Sequence, residues 1–187
     1  AFLPQVDSML GVRGATLVLN QGRSGQPAAH VWFVDYDVQV GGLAVEGARV
    51  VFTINNGNLV SIGSENLPSP GTRVPERRVD RGTARELLGR YIGGWDLNDN
   101  FVDRGTYKLF PSALRDDRFP ESFEPGKGRG VVGAWEIVFK REGVVGTWRA
   151  RVDGATGEVL EFGDMNDYGS ANGGTFQADR PATERVL

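Results

Sequence analysis

Between His30 and Val40 the side chains alternate. Val31, Phe33 and Asp35 fall on one face, and Trp32, Val34, Tyr36, Val38 and Val40 on the other. A period of two sustained over this length defines a β-strand with at least one buried face. Gly41-Gly42 bends the chain, Leu43 to Gly47 reads as a short extended bridge, and Val50 to Ile54 reads as the next strand. Asn55-Asn56-Gly57 then predicts a tight hairpin turn, because Asn and Gly tolerate positive φ, and Leu59 to Ile62 returns. The same grammar recurs near the end. Gly133 to Phe139, Thr147 to Val152 and Glu158 to Phe162 read as strands joined by turns at 140–146 and 153–157, an antiparallel meander. Ala15 to Leu19 is a shorter strand, Gly22 to Pro27 a turn-rich loop, and Tyr107 to Phe110 a strand stopped by Pro111. Residues 112–130 read as a long polar loop.

One segment has helical spacing. Ala84, Leu87, Leu88 and Tyr91 share a face, Thr83 is a candidate N-cap with Glu86 three residues on, and Gly93-Gly94 supplies a left-handed end. Residues 63–79 hold Pro68, Pro70 and Pro75 and read as a linker. Strands grouped apart from a lone helix predict an α+β fold, with antiparallel sheets and few helices. The expected division is 1–67, a linker at 68–77, a second subdomain at 78–165, and an extended C-terminal segment at 166–187.

At 187 residues the chain can bury roughly 70% of its unfolded surface without a metal or disulfide. Its net charge of -3 and pI of about 5.3 argue against nucleic acid and against a polybasic membrane surface as partners. The 27 glycines fit many turns between short strands. There is no Cys, which excludes disulfide staples and thiolate zinc sites. No apolar run approaches the ~18 residues of a membrane span. The start at Ala1-Phe2-Leu3 fits a secreted or periplasmic chain after removal of a signal peptide.

Histidine limits the chemistry further. His30 is the only one, so neither an HExxH zinc site nor a His-based triad can be assembled. Its place at a strand start fits a surface residue. Asp35 with Asp37, or Glu136 with Glu158, are the carboxylate pairs to weigh for glycoside hydrolysis, and chance proximity accounts for them better. Asp96, Asn98 and Asn100 imitate the start of a calcium loop, but Phe101 and Tyr107 stand where that loop needs Gly and Glu. Asp164, Asn166 and Asp167 read as a solvated stretch, and Gly126 to Gly130 as a loop without the P-loop ending. Trp32, Trp95, Trp135 and Trp148 are expected in the core, with Trp135 and Trp148 facing each other across adjacent strands. The expectation is a chain that catalyses nothing by itself and needs no cofactor or metal.

Two segments carry more than generic strand patterning. Tyr36 to Val51, with Gly42, Val45 and Gly47, followed by the hairpin at Gly57, resembles the fungalysin/thermolysin propeptide (FTP) motif. Ala134 to Val138, then Trp148 to Leu160 with Trp135, Trp148, Asp153, Thr156 and Gly157, resembles the end of a PepSY domain. The two occur in the family's order and span about 30–162. Gln39 sits one place off the usual register, Gly154 stands where Ala is usual, and 112–130 is longer than the pattern. The resemblance implies an FTP-like then a PepSY-like subdomain, as in propeptides of thermolysin-like and fungalysin-like zinc metallopeptidases. It implies an intramolecular chaperone and inhibitor whose partner is the cognate peptidase domain or another domain of the same precursor. The tail from Gly173, ending in Arg185, Val186 and Leu187, would then pass near the active cleft. A binding or structural module without peptidase activity, or a free-standing peptidase inhibitor, are the alternatives.

Overall fold

The computed structural model describes residues 10–112 and 128–166. Among the described residues, nine strands and the helix that packs on them run in the order β1 (Ala15–Leu19), β2 (Gly25–Ala28), β3 (Val31–Val40), β4 (Leu43–Asn55), β5 (Asn58–Glu65), α1 (Arg81–Tyr91), β6 (Asn100–Pro111), β7 (Val131–Lys140), β8 (Trp148–Asp153) and β9 (Val159–Asp164). This is the α+β, antiparallel-rich fold that the strand patterning predicts.

β1 to β5 form the first sheet around the β3–β4 pair, whose register runs from Val31 opposite Asn55 to Val40 opposite Leu43. The Asn56-Gly57 hairpin is present, with φ 49° and 77° and Asn55 opposite Asn58. The alternation of β3 is present too. Val34 and Tyr36 pack against the first core, and Val38 and Val40 are part of it. Trp32, on the same face, is 47% exposed because it sits at the strand's open end, so it is not a core residue. His30 is an exposed turn residue with φ 67° rather than the first residue of the strand. The expected Gly22–Pro27 loop contains the short strand β2, held by pairing to Phe33 and Val31.

The predicted bridge at Leu43 to Gly47 is part of one continuous 13-residue strand. Asp37 faces Arg49 while Gln39 faces Ala44. Residues 45–48 of β4 therefore bulge opposite Val38 alone, and Gly47 takes φ 69° within the bulge. Propensity alone reads such a swelling as a break.

β6 to β9 form the second, antiparallel sheet. β6 begins at Asn100, seven residues before its predicted start. Asp103, Arg104 and Gly105 interrupt its alternation, and the structure absorbs them as two register shifts against β7. The expected linker is shortened because β5 continues to Glu65. Beyond it, Pro68 bridges Arg129, and Leu67 O accepts from Arg129 N–H at 2.8 Å.

The helix is capped three residues before the expected position. Asp80 is the N-cap, and its carboxylate accepts from Thr83 N–H at 2.8 Å. Thr83 is thus the donor of that bond, not its acceptor, and the charged oxygen suits the positive end of the helix better than a hydroxyl does. Gly93, at φ 82°, ends the helix as the sequence predicts. Ala84 and Leu88 are fully buried against Trp135, Ile137, Phe139, Ala150 and Val152. Full burial contributes about 1.5–3 kcal/mol for a side chain the size of Leu88 and about 0.8 kcal/mol for the methyl of Ala84. Tyr91 lies at the margin, 61% exposed, with its ring edge against Phe162.

The two sheets join where β4 runs parallel to β6, with Val45 opposite Leu109. The bulge and the joint coincide: the residues that swing out of the β3–β4 ladder are those that reach β6.

Candidate functional site

The motif residues read from the sequence assemble into two structural centres. The first is the joint between the sheets. Gly42 takes φ 81° in the β3–β4 turn, Val45 is 3% exposed against Leu109, and Gly47 O accepts from the Asn66 side chain at 3.2 Å. Gly57 belongs to the same sheet but sits at its far, hairpin end.

The second centre is the β8–β9 turn beneath α1. Asp153 is 1% exposed, and its Oδ1 accepts from Ala155 N–H at 2.7 Å and Thr156 N–H at 3.0 Å. Thr156 Oγ1 accepts from Glu158 N–H, and Gly157 N–H donates to Asp153 O at 2.9 Å. Gly157 has φ 78°, and a Cβ there would lie 2.5 Å from Leu87 of the helix. Gly154 N–H donates to Gly133 O, while Gly154 O accepts from both Arg78 and Val79 N–H at 2.8 Å. This turn therefore holds the chain that leads into α1. A Cβ on Gly154 would fall 2.6 Å from the Tyr107 ring. That close approach leaves no room for a side chain at this position.

Trp135 closes the same centre. Its indole N–H donates to Val79 O at 2.8 Å, and its ring meets Tyr107 edge-on at 5.2 Å. Trp148 stacks on Phe162 with centroids 5.3 Å apart. The two tryptophans do not face each other, since Trp135 lies opposite Val152 and Trp148 opposite Phe139. The expected pairing fails on register, although both rings reach the same core. Arg185, Val186 and Leu187 lie outside the described residues.

Of the carboxylates weighed as catalytic pairs, Asp35, Asp37 and Glu136 are each committed to cations. Arg23 bridges Asp35 and Asp37, Asn20 also donates to Asp37, and Arg49 links Asp35 to Glu65. Burial opposes ionisation of Asp37, but the bonds from Arg23 and Asn20 outweigh it and hold its carboxyl below the usual range. A general acid needs the opposite shift. Glu136 pairs with Lys108 at 2.7 Å and Arg151 at 3.3 Å, not with Glu158. The row continues from Arg151 to Glu161 and Arg149, along the face of the second sheet away from α1.

Asp96 Oδ1 accepts from Asn98 N–H, and Asp99, which the sequence reading did not single out, accepts from Asp96 N–H and from Arg141. The stretch is a latched polar turn. Asp164 Oδ1 accepts from Thr147 and Asn166 N–H. Among the described residues no group of three or more His, Cys, Asp or Glu is placed to hold a metal ion. No described helix is long and apolar enough to cross a membrane.

These centres define a class, an antiparallel α+β domain in which packing and backbone hydrogen bonds fix the motif residues. Neither a protein-family model nor a curated protein matches the chain. Among solved structures it is similar to the Bacillus megaterium YpeB C-terminal domain, with a TM-score of 0.41 and 12% identity. That match covers 81% of this chain and 57% of the other, so the chain spans little more than half the length of that neighbour.

Proposed function

We propose that this chain is a non-catalytic module of the FTP–PepSY type that serves a secreted zinc metallopeptidase as folding assistant and inhibitor. The observation that supports it is the placement of the two motifs. One forms the joint between the sheets and the other forms the turn that anchors the helix, so each motif has a specific mechanical role in the order the family uses. A rigid surface of this kind assists folding by mass action: binding the folded peptidase better than its unfolded chain favours the folded form. Inhibition is assigned to the segment from Gly173 to Leu187. Shortening the chain at Gly163 is expected to abolish inhibition while leaving binding, and equal inhibition by the shortened chain would remove the tail from the mechanism.

Co-purification from the native source tests the central reading. The expected result is a zinc-containing peptidase bound to the chain, encoded downstream with an HExxH helix. Recovery of a partner without that helix would instead assign the chain to a structural or binding role in a larger secreted protein.

A further inference from the structure

Arginines with and without a carboxylate partner both occur, and four of the latter gather in one place. Arg23, Arg49, Arg78, Arg141, Arg149 and Arg151 each sit on a carboxylate. Arg77, Arg81, Arg85 and Arg104 do not pair with any carboxylate among the described residues, and all four are seated along one strand, β6. Arg77 lies over Tyr107 at 5.4 Å and Trp135 at 5.6 Å. Arg85 lies over Phe101 at 4.6 Å, and Arg104 over the same ring at 6.0 Å. The stem of Arg81 covers Gly105 so closely that a Cβ there would come within 2.9 Å of it. Three of the neighbouring acids are engaged elsewhere. Asp80 caps the helix, Asp103 accepts from Gly105 N–H, and Glu76 holds Arg78.

β6 is also an open edge over this stretch. β7 takes one side of it, and β4 meets the other only at Leu109. Among the described strands nothing pairs the outer side of residues 100–106, and Val102 there is 63% exposed. An open edge offers unpaired N–H and C=O groups to an added strand.

We propose that the open edge of β6 from Asn100 to Thr106, with the guanidiniums of Arg77, Arg81, Arg85 and Arg104 beside it, docks an extended acidic polypeptide segment of a partner protein. The edge supplies backbone pairing, and the four cations supply the sign of charge. Alternate residues of an extended segment recur every ~6.6 Å on one face, so carboxylates at every second position would all turn toward the side that carries the guanidiniums. Three of the cations rest on aromatic rings, which holds the guanidinium planes in place before a partner arrives. The open strand edge favours a polypeptide over a nucleic acid, because only a polypeptide backbone can continue the ladder. The site does not depend on the partner being a peptidase, so it stands or falls apart from the function proposed above.

The test is an NMR titration of the isotope-labelled full chain with a blocked peptide of alternating glutamate and threonine. Saturable shifts are expected at amides 100–106 and at the start of α1, with affinity falling as salt rises. Arg81→Gln with Arg104→Gln should weaken binding about tenfold, the loss of two exposed pairs, while Arg81→Lys with Arg104→Lys should keep most of it. Thermal melts of both variants confirm that the fold is retained. The glutamine version of the peptide should not bind. Absence of saturable shifts, shifts centred on another face, or unchanged affinity in the glutamine variant would overturn the proposal. Tighter binding of a single-stranded oligonucleotide at the same amides would overturn it in favour of a nucleic acid.

Discussion

The sheet joint and the β8–β9 turn both rest on glycine, yet in different ways. At the joint, Gly42 has φ 81° and open space around its Cα, so glycine is there for its torsion. In the turn, Gly154 has no left-handed φ but is pressed against the Tyr107 ring and Gly133 O, so glycine is there for its size. The first site can deform without touching a neighbour. The second cannot, because the Asp153 carboxylate, the Gly154 carbonyl and the Trp135 indole tie strand, turn and helix entry into one unit. The turn is expected to be the less tolerant of the two, and to fix the placement of α1.

The largest expected effect is at Asp153. Asp153→Ala removes a buried carboxylate and leaves the Ala155 and Thr156 N–H groups of a half-buried turn without their acceptor, at a cost of about 2–3 kcal/mol. Denaturant unfolding followed by far-UV circular dichroism measures it, and Asp153→Asn should recover part of the loss. Next comes Gly154→Ala, expected to destabilise by about 2 kcal/mol through overpacking against Tyr107. Gly42→Ala should cost about 1 kcal/mol, the torsional penalty alone, and Gly42→Asn less than that. If Gly42→Ala proved more costly than Gly154→Ala, the contrast between the two centres would be wrong.

The last effect depends on pH. Hydrogen bonds from Arg141 outweigh burial and hold the Asp99 carboxyl below its usual range. Its folded pKa is depressed, so the stabilisation is present above the unfolded value of about 3.9 and is lost as pH falls through the folded one. The Asp99 carboxylate is shielded but its arginine partner is partly solvated, so the contribution at neutral pH is about 1 kcal/mol. Melting temperatures of the wild type and Asp99→Asn should converge as pH falls from about 5 towards 2.

Local patterns were legible where one short-range rule decides the structure. The alternation of β3, the Asn56-Gly57 hairpin and the meander of β7 to β9 follow from period and turn chemistry. What was not legible depended on partners far along the chain. β4 reads as a bridge plus a strand because nothing local reports that residues 45–48 bulge toward β6. β6 reads short because Asp103 to Gly105 break its period, and only pairing to β7 restores the strand. Asp80 and Thr83 are both good caps by type, and the choice between them rests on the entering chain, which Gly154 fixes. Of the candidate site, the motif residues were recoverable one by one. The row of arginines along β6 was not, because Arg77, Arg81, Arg85 and Arg104 gather only when the helix lies on the sheet.

The central functional claim is tested most directly by refolding. On the proposed function, the zinc peptidase recovered with the chain would be unfolded in guanidinium, diluted with or without the purified chain, and assayed for activity after the chain is removed by proteolysis. Recovery that rises with the chain's concentration, with inhibition until the chain is removed, is the expected result. Equal recovery without the chain, and no inhibition in its presence, would contradict it.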